Sequence, residues 1–78
     1  MTQQQKKIKD KLEEIVREIV SKGIYWSEAT SQFEKLFIIR ALQNSDGNLS
    51  RAAEIMGIHR NTIAKKIREY RIKKKAID

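Results

Sequence analysis

The sequence predicts an all-α fold of four helices. Three observations carry that expectation. The 78 residues contain no proline, and the three glycines, Gly23, Gly47 and Gly57, each follow a stretch with helical periodicity. Glycine just past a helix end accepts the left-handed conformation without steric penalty, so three such stops in a proline-free chain imply four helices. No segment alternates apolar and polar residues over the length of a strand.

The first helix is expected from about Gln3 to Lys22. Ile8, Leu12, Ile15 and Ile19 lie on one stripe, widened by Val16 and Val20, while Lys7, Asp10, Glu14, Arg17 and Glu18 lie off it. This is the pattern of an amphipathic helix with one apolar face. Ile24, Tyr25 and Trp26 then form a short apolar loop. Ser27 is the expected N-cap of the second helix, and Ser31, with Glu34 three residues on, is an alternative start. From Leu36 to Leu42 the second helix is apolar almost all round. Phe33, Phe37 and Ala41 share one side, Ile38 and Leu42 fall nearly opposite, and Leu36 and Ile39 fill a third direction. Such a helix must be covered on several sides, which three other short helices of one small chain do not provide. A symmetric dimer provides it.

Asn48 is the expected N-cap of the third helix, whose apolar face is Leu49, Ala52, Ala53 and Met56. The fourth begins near His59 or Arg60 and turns Ile63, Ile67 and Tyr70 inward, with Asn61, Ala64, Lys65 and Arg68 outward. Two short helices joined by a tight glycine turn read as a helix-turn-helix. The spacing has a steric rationale: Ala53 permits a close crossing, Gly57 turns the chain, and Ile63 fills the wedge.

Composition narrows the function. A chain of 9.1 kDa is one domain, and its own core rarely supplies more than ~3–5 kcal/mol. With no cysteine and one histidine, disulfides and clustered metal sites are excluded, which leaves self-association as the stabilising device. No apolar run approaches the ~20 residues of a membrane span, and the polar N-terminus does not read as a signal peptide. No acid–base pair, nucleophile or cofactor site can be assembled, so an enzyme is not expected. The net charge of +7 points to a polyanion. Residues 1–22 carry six basic and four acidic residues, residues 23–47 two and three, and residues 48–78 nine and three. Nearly all of the excess sits on the helix-turn-helix and its tail, the footprint expected of phosphate binding.

The segment Gly47–Tyr70 resembles the C-terminal helix-turn-helix of the Fis family, a module that also closes the NtrC-type activators of sigma-54 transcription. The resemblance rests on Gly47-Asn48, Arg51-Ala52-Ala53, Met56-Gly57-Ile58, Arg60-Asn61-Thr62-Ile63 and Lys65-Lys66-Ile67. Phe33 to Leu42 also fits the family's central helix. The resemblance implies an all-α homodimer with an intertwined core built by residues 3–45, a helix-turn-helix over 48–71, and a basic tail over 72–78. It implies that the recognition helices dock in the major groove of double-stranded DNA and that the DNA bends to meet both. Asn48 and Ser50 match phosphate-binding positions. Arg60 matches a residue that reaches a guanine edge, flanked by His59 and Asn61. Thr62, Lys65 and Lys66 match phosphate contacts. The implied setting is transcription regulation or nucleoid organisation in the bacterial cytoplasm, with no membrane or small-molecule ligand.

There are departures from the family pattern. Ala64 stands where a basic residue is usual, and Arg71 replaces the usual glycine after the last helix. The hairpin arm used for stimulating DNA recombination has no counterpart, so that activity is not expected. The alternative reading is a protein-interaction module whose basic face docks an acidic partner. Lys73–Lys75 reads either as a solvated tail or as extra phosphate contacts.

Overall fold

The computed structural model describes residues 2–73. It contains four helices, α1 (Gln3–Ser21), α2 (Trp26–Asn44), α3 (Leu49–Met56) and α4 (Arg60–Glu69), and no strand among the described residues. The all-α expectation is met element by element. Two compact units are distinguished, Met1–Thr30 and Ser31–Asp78.

The first unit is α1, its turn and the opening of α2. Thr2 caps α1: its hydroxyl accepts from the Gln5 amide at 3.2 Å, and the Gln5 side chain accepts from the Thr2 amide at 3.0 Å. This reciprocal box satisfies two backbone donors that the helix itself leaves unpaired. No residue of α1 is buried. Its apolar stripe faces outward, with Ile8 65% and Val20 71% exposed and Leu12, Ile15 and Val16 about half exposed. Tyr25 and Trp26, expected in a loop, are also exposed. The second helix starts at Trp26 rather than being capped by Ser27, because the Ala29 amide already bonds to the Tyr25 carbonyl at 3.0 Å. Ser27 and Ser31 therefore lie inside the helix.

Among the described residues, every buried apolar side chain lies in the second unit. Ile38, Ala41 and Leu42 of α2 meet Ala52 and Ala53 of α3, Ile63 of α4 and Ile72 beyond it. Ile39, Leu49, Met56, Ile58, Ile67 and Tyr70 pack around this cluster. The expected inner faces of α3 and α4 are those observed. Ile72 opens the segment read as a basic tail, yet it is 9% exposed and belongs to the core. Lys74 and Lys75 lie outside the described residues. Phe33, Leu36 and Phe37 of α2 remain exposed, so the chain's own core covers one side only of this all-round apolar helix.

The four helices end alike. In each, an amide reaches back five residues: Ile24 to Ile19, Gly47 to Leu42, Ile58 to Ala53 and Ile72 to Ile67, at 2.8–3.2 Å. This closure places one residue in the left-handed region. Gly23 and Gly57 fill that role at φ 71° and 68°, as expected from their positions. Asp46 takes it at φ 53° after α2, with Gly47 also positive, and Arg71 takes it at φ 52° after α4.

Candidate nucleic-acid interface

Helix α3 is placed by its ends. The Asn48 side-chain oxygen accepts from the Arg51 amide at 3.1 Å, which confirms Asn48 as N-cap. Ser45 fixes Asn48 in turn. Its buried hydroxyl lies 3.1 Å from the Asn48 carbonyl and 3.2 Å from that of Leu42, and its carbonyl accepts from the Asn48 amide at 3.0 Å. The cap engages the Asn48 oxygen and not its NH2 group. Ser50 is exposed in the first turn, beside backbone amides that no helix can satisfy from within.

Gly57 then turns the chain into α4. His59 caps this helix: its Nδ1 accepts from the Asn61 amide at 3.1 Å. With Nδ1 engaged as an acceptor, Nε2 is the ring nitrogen this cap leaves unused. Arg60, Asn61 and Thr62 form the exposed first turn. Arg60 is the first helical residue and is exposed. Asn61, Thr62, Lys65, Lys66 and Glu69 line a shallow hollow of about 360 Å³ on the outer side of α4.

The two neighbouring lysines differ. Lys65 is exposed and stands 4.0 Å from Glu69 in an i, i+4 pair, a contact of the kind worth a few tenths of a kcal/mol at most. Lys66 is half-buried and reaches across to α2, where its Nζ contacts Glu34 Oε1 at 3.2 Å and Oε2 at 3.1 Å. The Tyr70 hydroxyl donates to Oε2 of the same carboxylate. The Tyr70 hydrogen bond first, and then that of Lys66, hold the Glu34 carboxyl below its usual range. The shared contact raises the Lys66 ammonium and the Tyr70 phenol. Glu34 escaped the sequence reading as a tie to α4. The two contacts span 32 and 36 residues, and no local pattern reports on that distance.

The predicted site residues thus fall at the start of α3 (Asn48, Ser50), at the start of α4 (His59, Arg60, Asn61, Thr62) and along α4, where Lys65 is exposed and Lys66 is tied to α2. Among the described residues, no group of acidic, histidine or cysteine side chains could hold a metal ion. No described helix is long and apolar enough to cross a membrane.

Comparison with known proteins agrees with this geometry. Residues 30–70 match the family described as "Bacterial regulatory protein, Fis family". Two proteins of Xylella fastidiosa, from strains Temecula1 and 9a5c, each described as "Putative Fis-like DNA-binding protein", are 44% identical to this chain over 39 residues. The aligned part covers 50% of this chain and 43% of each relative, so the chain spans less than half the length of these relatives. No solved structure matches the chain.

Proposed function

The chain belongs to the Fis family of bacterial regulatory proteins and carries its helix-turn-helix DNA-binding domain, and from that premise we propose that it acts as a homodimer which docks two α4 helices in the major groove and bends the DNA between them. The observation that carries the dimer is the bare apolar stripe of α1. A 19-residue helix with no buried side chain is marginal in water, because helix propensity alone barely offsets nucleation. Large exposed apolar patches mark association surfaces. A second copy supplies an identical stripe, and the exposed Phe33, Leu36 and Phe37 of α2 are then covered in the same association.

In this reading Arg60 reads a guanine edge through its two-pronged guanidinium. His59 and Asn61 flank it, and Asn48, Ser50, Thr62 and the exposed Lys65 meet phosphates that fix the register. The protein works in transcription regulation or chromosome organisation at the bacterial nucleoid, without cofactor or catalysis. The excess positive charge of residues 48–78 supplies the sequence-independent part of the affinity. A permutation assay, in which the binding site is moved along a fixed fragment, tests the reading. Mobility that varies with site position, and a logarithmic salt slope of roughly −7 for about eight neutralised phosphates, are expected. Salt-insensitive binding, or binding only to acidic proteins, overturns it.

A further inference from the structure

Lys65 and Lys66 are adjacent in sequence and present the same charge, yet they hold it differently. The Lys65 side chain is 71% exposed and its one acidic neighbour stands at 4.0 Å. The Lys66 side chain is 29% exposed, and both oxygens of Glu34 lie within 3.2 Å of its Nζ. The Glu34 carboxylate is itself locked, because Tyr70, one helical turn beyond Lys66, donates to Oε2. Two donors of α4 thereby converge on one acceptor of α2. A phosphate approaching Lys66 meets a carboxylate charge at nearly the same distance, so the pair offers it almost no net attraction. Moving Lys66 toward the phosphate would break both of its contacts with Glu34.

We infer that Glu34 withholds Lys66 from the DNA backbone, leaves Lys65 as the phosphate-binding lysine of α4, and so limits sequence-independent affinity. This rests on the reading that α4 meets DNA. Its consequence is a gain in discrimination: phosphate contacts tighten binding to every sequence alike, whereas a regulator works by the ratio of specific to non-specific binding. Glu34 is a specificity-setting residue that acts through Lys66 and makes no contact with a base.

Salt titrations of full-chain binding to a random-sequence duplex test the inference. K65M is expected to flatten the logarithmic salt slope by about 0.9 per subunit, the value of one lost phosphate contact. K66M is expected to leave the slope at the parent's value. E34Q releases Lys66, so it steepens the slope by about 0.9 per subunit and tightens random-duplex binding severalfold at low salt. The double variant E34Q/K66M returns to the parent's slope with the parent's net charge. Flattening by K66M as large as that by K65M overturns the inference, as does an unchanged slope in E34Q. The K65M and K66M comparison decides the matter on its own if E34Q does not fold. A parent protein with no salt-dependent binding fails the DNA reading itself and is recognised as such before any variant is compared.

Discussion

The two units of this chain solve the problem of burying apolar surface in opposite ways. The second unit, Ser31–Asp78, gathers residues from α2, α3, α4 and the segment after α4 into one cluster, with Ile38, Leu42 and Ile63 almost fully enclosed. The first, Met1–Thr30, has an equally clear amphipathic pattern and buries nothing on α1. The difference lies in chain connectivity, not in composition. Short helices joined by tight turns can fold back on one another, whereas a long helix of about 28 Å presents more apolar length than its own neighbours can cover. About a quarter of the residues lie in this helix, and the proposed dimer is what would cover its apolar stripe.

Substitutions sharpen this contrast. The largest effect is expected from Ile15→Asp on the stripe of α1. It removes no intramolecular core contact, so in a monomer it would be nearly silent. In the proposed dimer it places a charge in a desolvated seam, and loss of assembly together with loss of the α1 helical signal is expected by sedimentation and circular dichroism. Ile63→Ala in the second unit is expected to cost about 2–5 kcal/mol by denaturant unfolding, because it leaves a cavity where α3 and α4 meet the α2 core. Arg60→Ala should leave stability unchanged, weaken binding to the preferred site by about 1–3 kcal/mol and relax sequence preference at one position.

Much of the fold was legible in the sequence, for reasons that particular residues make concrete. Gly23 and Gly57 stop helices because left-handed backbone suits them, and Asn48 caps α3 because its side chain mimics the missing carbonyl. Ile63, Ile67 and Tyr70 share a face by spacing alone. The Thr2–Gln5 box is also written in the sequence, as Thr-x-x-Gln. The start of α2 at Trp26 was not predictable from caps, since no capping side chain marks it. Nor was the left-handed conformation of Asp46 and Arg71, two side-chain-bearing residues, at the closing hydrogen bonds. For the candidate site, the local sequence placed the residues at the helix starts and along α4. It could not show that Glu34, a distant residue, engages Lys66 and not Lys65.

The left-handed conformations give a smaller pair of effects that again sets one position against another. Gly57→Ala should lower stability by about 1 kcal/mol, the cost of a side chain at positive φ, since a Cβ there meets open space. Arg71→Gly should raise it by up to about 1 kcal/mol for the converse reason. In a domain of this size each corresponds to a shift of roughly 4–8 °C in Tm. The smallest effect expected is proton-linked. The Glu34 carboxyl is held below its unfolded value, so its contribution is fully present above the ordinary carboxylate range and is lost as the pH falls through the lowered value. The Tm difference between the parent and E34Q is therefore expected to be constant near neutral pH, to shrink as the pH enters the ordinary carboxylate range, and to vanish once it lies below the lowered Glu34 value.

The claim on which the rest depends is that the first unit is completed by its own copy. Sedimentation equilibrium of the full chain at micromolar concentration tests it most directly. A species of twice the 9.1 kDa chain mass, reduced to a single chain by Ile15→Asp, is the result predicted. A parent protein that sediments at 9.1 kDa with α1 fully helical would contradict it.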